Sequence, residues 1–167
     1  KRKQTMIILV PEISLTPQLA KKFIDTFGNK VALWHSKLTK REKYQTWQNL
    51  NNNKYSIIIG ARSAVFSPVP NLGLIIIDEE QDSSYKQEVS SFKYHARDVA
   101  MIRSKYSNST IVLGSATPSV ESYYYALNKK IKLLKINNRY QNADYPSVQT
   151  IDMKEGKNRF SYDFSYM

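Results

Sequence analysis

The chain has no cysteine, so disulfides and cysteine-ligated zinc are excluded within this segment. Its two histidines, His35 and His95, stand far apart and lack ligand spacing. No apolar run reaches membrane-spanning length and no signal peptide opens the chain, which leads us to expect a cytoplasmic protein with no membrane partner. Acidic residues are sparse: 14 Asp and Glu face 25 Lys and Arg, a formal net charge of +11. Such an excess favours a polyanionic partner, nucleic acid before membrane. A lysine-rich proteome explains the same balance, since Lys, Asn and Ile are all frequent. Also absent is any Gly-x-x-x-x-Gly-Lys-Ser/Thr loop, the usual backbone cradle for nucleotide phosphates.

What is present, in 167 residues, is enough for one domain with a sizeable core. Met6–Val10 reads as a continuous apolar strand. Thr16-Pro17 has the form of an N-cap followed by Pro at the first helical position, opening a helix over Pro17–Phe27 that Gly28 stops. Leu19, Phe23 and Phe27 fall on one face of it. Val31–Trp34 is a second strand. Thr39-Lys-Arg-Glu42 is a capping box, and its helix runs to about Asn51 with Tyr44, Trp47 and Leu50 at helical spacing. Ser56–Ile59, Leu74–Ile77 and Thr110–Leu113 read as further strands, with helices over Ala96–Tyr106 and over Pro118–Leu127, the latter begun by Thr117-Pro118. The alternation implies an α/β fold: a parallel sheet with helices on both faces. Ile131–Ile136 alternates Lys with apolar residues and suits an edge strand. Asn137–Pro146 is linker-like, Val148–Met153 is a candidate new strand, and Lys157–Met167 has no period.

The chemistry concentrates in Leu74-Ile-Ile-Ile-Asp78-Glu79-Glu80-Gln81. Four apolar residues deliver carboxylates to the C-terminal edge of a sheet, where α/β folds place ligands. Asp78 suits a water-mediated hold on Mg²⁺, and Glu79 suits the positioning of an attacking water. A plain acidic pair after a strand has the same sequence. About one βα unit on stands Ile111-Val-Leu-Gly114-Ser115-Ala116-Thr117-Pro118, where small residues allow close backbone approach and hydroxyls offer switchable hydrogen bonds; a turn into a capped helix has the same residues. Gly60-Ala-Arg62-Ser63 supplies donors for phosphate oxygens, or is a solvated strand end. Between residues 82 and 97, Tyr85, Phe92 and Tyr94 interleave with Lys86, Lys93 and Arg97. These are ingredients for stacking on single-stranded bases while holding their backbone, or for a loop packed on the core.

Taken in order, Leu9-Val-Pro-Glu-Ile-Ser-Leu-Thr-Pro-Gln18, Ile59–Phe66, Asn71–Glu80, Asp82–Gln87, Tyr94–Asp98 and Gly114–Pro118 resemble the first motor lobe of the primosomal replication-restart DNA helicases, the PriA family of helicase superfamily 2. The resemblance implies a RecA-like lobe of P-loop NTPase type over residues 1–136, its phosphate-loop part missing, and a linker with the start of a second lobe over 137–167. It implies ATP and Mg²⁺ as cofactors, with Asp78 and Glu79 catalytic. It also implies Gln81, Gly114, Ser115 and Thr117 in coupling or nucleotide sensing, and Thr16, Arg62, Ser63, Tyr85, Lys86, Phe92, Lys93, Tyr94 and Arg97 in DNA contact. Glu12 would repel phosphate and suits orienting its loop. Gln81 departs from the family's usual histidine; it still donates and accepts hydrogen bonds but does not titrate.

By the same resemblance, the phosphate loop would lie upstream, and the second-lobe arginines and a cysteine-rich zinc module downstream, leaving no zinc site here. Expected partners are forked and single-stranded DNA, primosome proteins and single-strand-binding proteins. Three other classes stay open: another superfamily-2 repair or restriction translocase, a non-catalytic nucleic-acid-binding lobe, and a small-molecule nucleotide binder.

Overall fold

The computed structural model describes residues 4–89 and 91–136, apart from the side chain of Ile13. Five parallel strands make one sheet: β1 (Thr5–Leu9), β2 (Val31–Trp34), β3 (Ile57–Gly60), β4 (Leu72–Ile77) and, following a small hairpin, β7 (Thr110–Leu113), in the order β2-β3-β1-β4-β7. The central strands are Ile- and Leu-rich because they are covered on both faces, whereas edge strand β7 leaves Val112 exposed. Ile7, Leu9, Ile58, Ile75 and Ile77 are fully buried. Register brings their C-terminal ends into one row: Trp34 pairs with Gly60, Gly60 with Leu9, Leu9 with Ile77, and Ile77 with Leu113. The residues that follow each strand therefore share one edge.

Helices cover both faces. On one side Leu50 of α2 (Lys40–Asn51) and Ala96 and Ala100 of α3 (Ala96–Ser107) pack on Ile7, Leu9, Ile58 and Ile75. On the other, Leu19 and Phe23 of α1 (Pro17–Phe27) pack on Ile8, Ile57 and Ile59. A last helix, α4, spans Val120–Leu127. Two short strands, β5 (Lys86–Gln87) and β6 (Tyr94–His95), form an antiparallel pair between β4 and α3.

Local signals account for the element ends. Thr16 accepts from Leu19 N at 3.3 Å and caps α1, and Gly28 ends it at φ +63°, a conformation open chiefly to glycine. Thr39 and Glu42 form the reciprocal capping box at α2. Several expectations need correction. The helix read from Pro118 starts at Val120, because Ser119, not Thr117, caps it by accepting from Ser122 N at 3.3 Å. Of the three apolar residues on α2 only Leu50 is buried; Tyr44 and Trp47 are exposed, and Gln48 Nε2 donates to the Tyr44 hydroxyl at 2.7 Å. Phe27 is likewise exposed, stacked on Phe23. No strand forms over Ile131–Ile136. The chain divides into two units, 1–131 and 132–167. The expected linker at 137–146, the strand at 148–153 and the unpatterned tail lie outside the described residues.

Candidate functional site

At the C-terminal row of the sheet, Asp78 and Glu79 follow β4 and are both exposed. Asp78 is anchored by its main chain, which donates to Leu9 O at 2.9 Å. Glu79 adopts φ +46°, a left-handed conformation that a residue with a side chain seldom takes. Such a conformation persists only where the surroundings over-determine it, and it gathers at functional sites. Here the turn is held on both sides: Glu80 N donates to Gly114 O at 3.0 Å and Asp82 N to Glu79 O at 2.8 Å. The reversal sends Glu79 outward and Glu80 inward.

The residues read as coupling elements are brought together with the acidic turn. Gln81 Nε2 donates to Glu79 Oε2 at 2.8 Å, Ser115 Oγ donates to Gln81 Oε1 at 2.5 Å, and Thr117 N donates to Ser115 Oγ at 2.9 Å. Gly114 lies beside Asp78; a Cβ there would stand 3.6 Å from Asp78 Oδ1, ordinary contact distance. Asp78 and Glu79 are hard oxygen donors at an open edge, which suits Mg²⁺ bound through one or two carboxylates with waters and phosphate oxygens. Among the described residues no group of three or more His, Cys, Asp or Glu is placed to hold a metal ion.

Two residues assigned to DNA prove to be interior. Tyr85 is fully buried in the main core, its hydroxyl donating to Asp78 O at 2.6 Å, so no ring face is open to a base. Burial, with the nearby Asp78 carboxylate adding to it, pushes its phenol well above the ordinary range. Arg97 has a side chain only 11% exposed and is committed to Glu80, with Nη1 3.0 Å from Oε2. Arg62 turns inward as well: Nη1 donates to Ser84 O at 2.9 Å and Lys86 O at 3.0 Å, pinning the loop after the acidic turn. Gly60 is required by the protein's own packing, since a Cβ would collide with the Trp34 carbonyl and approach Ala64 Cβ at 2.8 Å.

Others stay at the surface. Phe92 is 65% exposed; its ring lies 5.6 Å from Tyr94 and 6.4 Å from Phe66, and Phe66 meets Tyr94 edge-on at 5.0 Å. Lys93 is exposed beside them, and Lys86 pairs with Glu88 at 2.6 Å. Together Lys86, Gln87, Glu88, Lys93, Tyr94 and His95 line a hollow of about 500 Å³ on the β5–β6 hairpin. Along β1–β3, exposed Ser63 accepts from Trp34 Nε1 at 3.1 Å, and Ser36 Oγ donates to Glu12 Oε1 at 2.6 Å. Glu12 thus ties two loops together, the orienting role its charge allows.

Sequence reasoning passed over Phe66, Trp34 and, above all, Glu80. Glu80 is 1% exposed and accepts from Ser119 N at 2.7 Å, Ser122 Oγ at 2.9 Å, Arg97 Nη1 and Ser119 Oγ. Burial alone would raise its carboxyl. The Ser119 amide, Arg97 and the two hydroxyls outweigh burial and hold it below the ordinary value. Nothing in a run of four polar residues marks the third as the buried one.

A family model of DEAD/DEAH box helicases matches residues 1–124. The chain belongs to the DEAD/DEAH box helicase family. Within this family, the parallel sheet with its acidic strand end is the RecA-like lobe expected from the motifs. The chain is 47% identical over 149 residues to the replication restart protein PriA of Bacillus subtilis, covering 89% of this chain and 18% of that protein. It is 48% identical over 150 residues to the replication restart protein PriA of Chlamydia trachomatis, covering 90% of this chain and 20% of that one. The chain thus spans about a fifth of the length of the curated relatives it matches. Its fold also resembles the solved C-terminal domain of the DEAD-box protein Dbp5, at TM-score 0.49 and 12% identity, over 78% of this chain and 71% of that one.

Proposed function

We propose that this chain is part of the motor lobe of an ATP-dependent DNA helicase acting in replication restart in the cytoplasm. The observation that carries the proposal is the line of hydrogen bonds from Glu79 through Gln81 and Ser115 to the Thr117 amide. It joins an acid suited to water positioning to a loop of small residues on the next strand. The kinship with replication restart proteins supports the biological setting.

Asp78 would hold Mg²⁺ through water, and Glu79 would orient the attacking water. Mg²⁺, when bound with ATP, neutralises charge on the phosphates. A change at Glu79 alters the acceptor that Gln81 donates to, and Gln81 in turn is held by Ser115. Gly114, Ser115 and Thr117 therefore feel the nucleotide state through hydrogen bonds alone, without a titrating group. Thr16, Ser63, Lys86, Phe92, Lys93 and Tyr94 contact forked and single-stranded DNA, with Phe66 supporting the two aromatics from below. Primosome and single-strand-binding proteins are the proposed protein partners. Because these 167 residues contain no glycine-lysine phosphate cradle, the segment by itself turns over no ATP.

ATP hydrolysis by the whole protein that contains this chain, with and without forked DNA, tests the proposal beside Glu79→Gln. DNA-stimulated turnover that falls at least about 100-fold in the variant is the expected outcome, the scale of a lost general base. Tight DNA binding without turnover in either form would move the chain to a non-catalytic binding lobe.

A further inference from the structure

Glu80 is buried, charged and used in no step above. Its carboxylate gathers donors from two helical segments: Arg97 of α3, and Ser119 and Ser122 at the start of α4. Its main chain is bonded to Gly114 O, and its neighbour Glu79 sits at φ +46°. Arg97, on the far side, is three residues from Tyr94. Its main-chain N–H donates to His95 Nδ1 at 3.2 Å, which ties it to the end of β6. Nη1 of Arg97 also reaches Ser119 Oγ at 2.5 Å and Ser122 Oγ at 3.3 Å. The aromatic segment is thus joined to Arg97 through its chain neighbour His95, Arg97 to Glu80 through their side chains, and Glu80 to the left-handed Glu79 along the chain.

We propose that Glu80 is a positioning residue: paired with Arg97, it fixes the Glu79 carboxylate and conveys to it any displacement of the Phe92–Tyr94 segment. The inference rests on the helicase reading above and adds the pair through which DNA contact would reach the acidic turn. A buried charge pair suits this task, because a small shift of one partner leaves the other without compensation and the arrangement has few alternatives. A serine in the same network, Ser122, bonds both Glu80 and Arg97 but carries no charge, so its removal weakens the network while leaving the ion pair in place and separates transmission from plain stability.

The test uses the whole protein with ATP and single-stranded DNA, comparing wild type, Glu80→Gln, Arg97→Lys, the double variant and Ser122→Ala. Glu80→Gln keeps the shape and removes the charge; Arg97→Lys keeps the charge and removes the fork of donors. We expect DNA-stimulated kcat to fall about 10-fold in each single variant, a usual size for coupling between sites. ATP KM and DNA Kd should stay within about 2-fold, since neither residue touches ligand. The double variant should lose no more than the worse single one, as members of one path do. Ser122→Ala should lower Tm and keep the stimulation. Should Glu80→Gln fail to fold, Arg97→Lys carries the same comparison. Folded variants with wild-type stimulation overturn the proposal, as does a loss that merely tracks Tm across all variants, Ser122→Ala included. A wild type without DNA-stimulated turnover overturns the helicase reading itself, and this inference with it.

Discussion

Three successive acidic positions after β4 have two different fates. Asp78 and Glu79 are exposed at the sheet edge, whereas Glu80 is enclosed by Arg97, Ser119 and Ser122. The left-handed backbone at Glu79 makes the difference, since it rotates the next side chain from the edge into the protein. Glu80 also gives the molecule a pH signature. Its folded carboxyl titrates below the ordinary 4.5, so its stabilising effect is complete above about that value and is lost as pH falls through the lower folded one. The groups facing it are Arg97, Ser119 and Ser122, with His95 nearby; Asp98 pairs with Arg97, and Glu121 lies near His95. His95 is itself held below its ordinary value by burial and by Arg97. Melting temperature should therefore drop on acidification below about pH 4.5, and the drop should be shallower in Glu80→Gln, which carries no titrating group there. Parallel curves for the two proteins would show that Glu80 is not the source.

Among the elements, α2 separates what helical spacing predicts from what packing selects. Tyr44, Trp47 and Leu50 lie three residues apart, yet only Leu50 enters the core. A residue step of three drifts around a helix of 3.6 residues per turn, so the stripe leaves the sheet before it reaches Tyr44. The capping box holds the other end, with Thr39 N donating to Glu42 Oε2 at 2.7 Å. Removing the buried anchor should cost more than removing the cap. Leu50→Ala is expected to lower unfolding free energy by about 2–5 kcal/mol, the range for a large side chain lost from a core. Thr39→Ala should cost about 1 kcal/mol, the usual worth of a cap. Chemical denaturation of the two variants checks the ordering; a larger loss at Thr39 would mean that α2 is held by its end. At α4 the same competition moved the start of the helix from Pro118 to Val120, because Ser119 serves both as cap and as a donor to Glu80.

On the scale of the whole molecule, charge and topology set what partners can reach. With a net charge of +11, the proposed DNA binding is expected to have a large electrostatic share. Raising salt about four-fold should weaken single-stranded DNA binding at least about 10-fold, as neutralising about three phosphates requires. Affinity indifferent to salt would remove DNA as the partner and favour a small nucleotide. The sheet was legible in the sequence because buried parallel strands must be apolar throughout. The ends of α1 and α2 were legible because Thr16, Gly28, Thr39 and Glu42 act within one turn. The grouping of Asp78, Glu79, Gln81 and Ser115 followed from strand order, since all strands end in one row. What the sequence by itself determined was therefore the alternation of elements and the residues at the sheet's edge, both consequences of local chemistry and period. Only the tertiary structure decided which side chains remain available there. Tyr85, Arg97 and Arg62 carry the same chemistry as exposed DNA contacts, but a core position, a buried carboxylate and two loop carbonyls occupy them. Those partners lie 7 to 24 residues away, and separations of that kind leave no mark on local pattern.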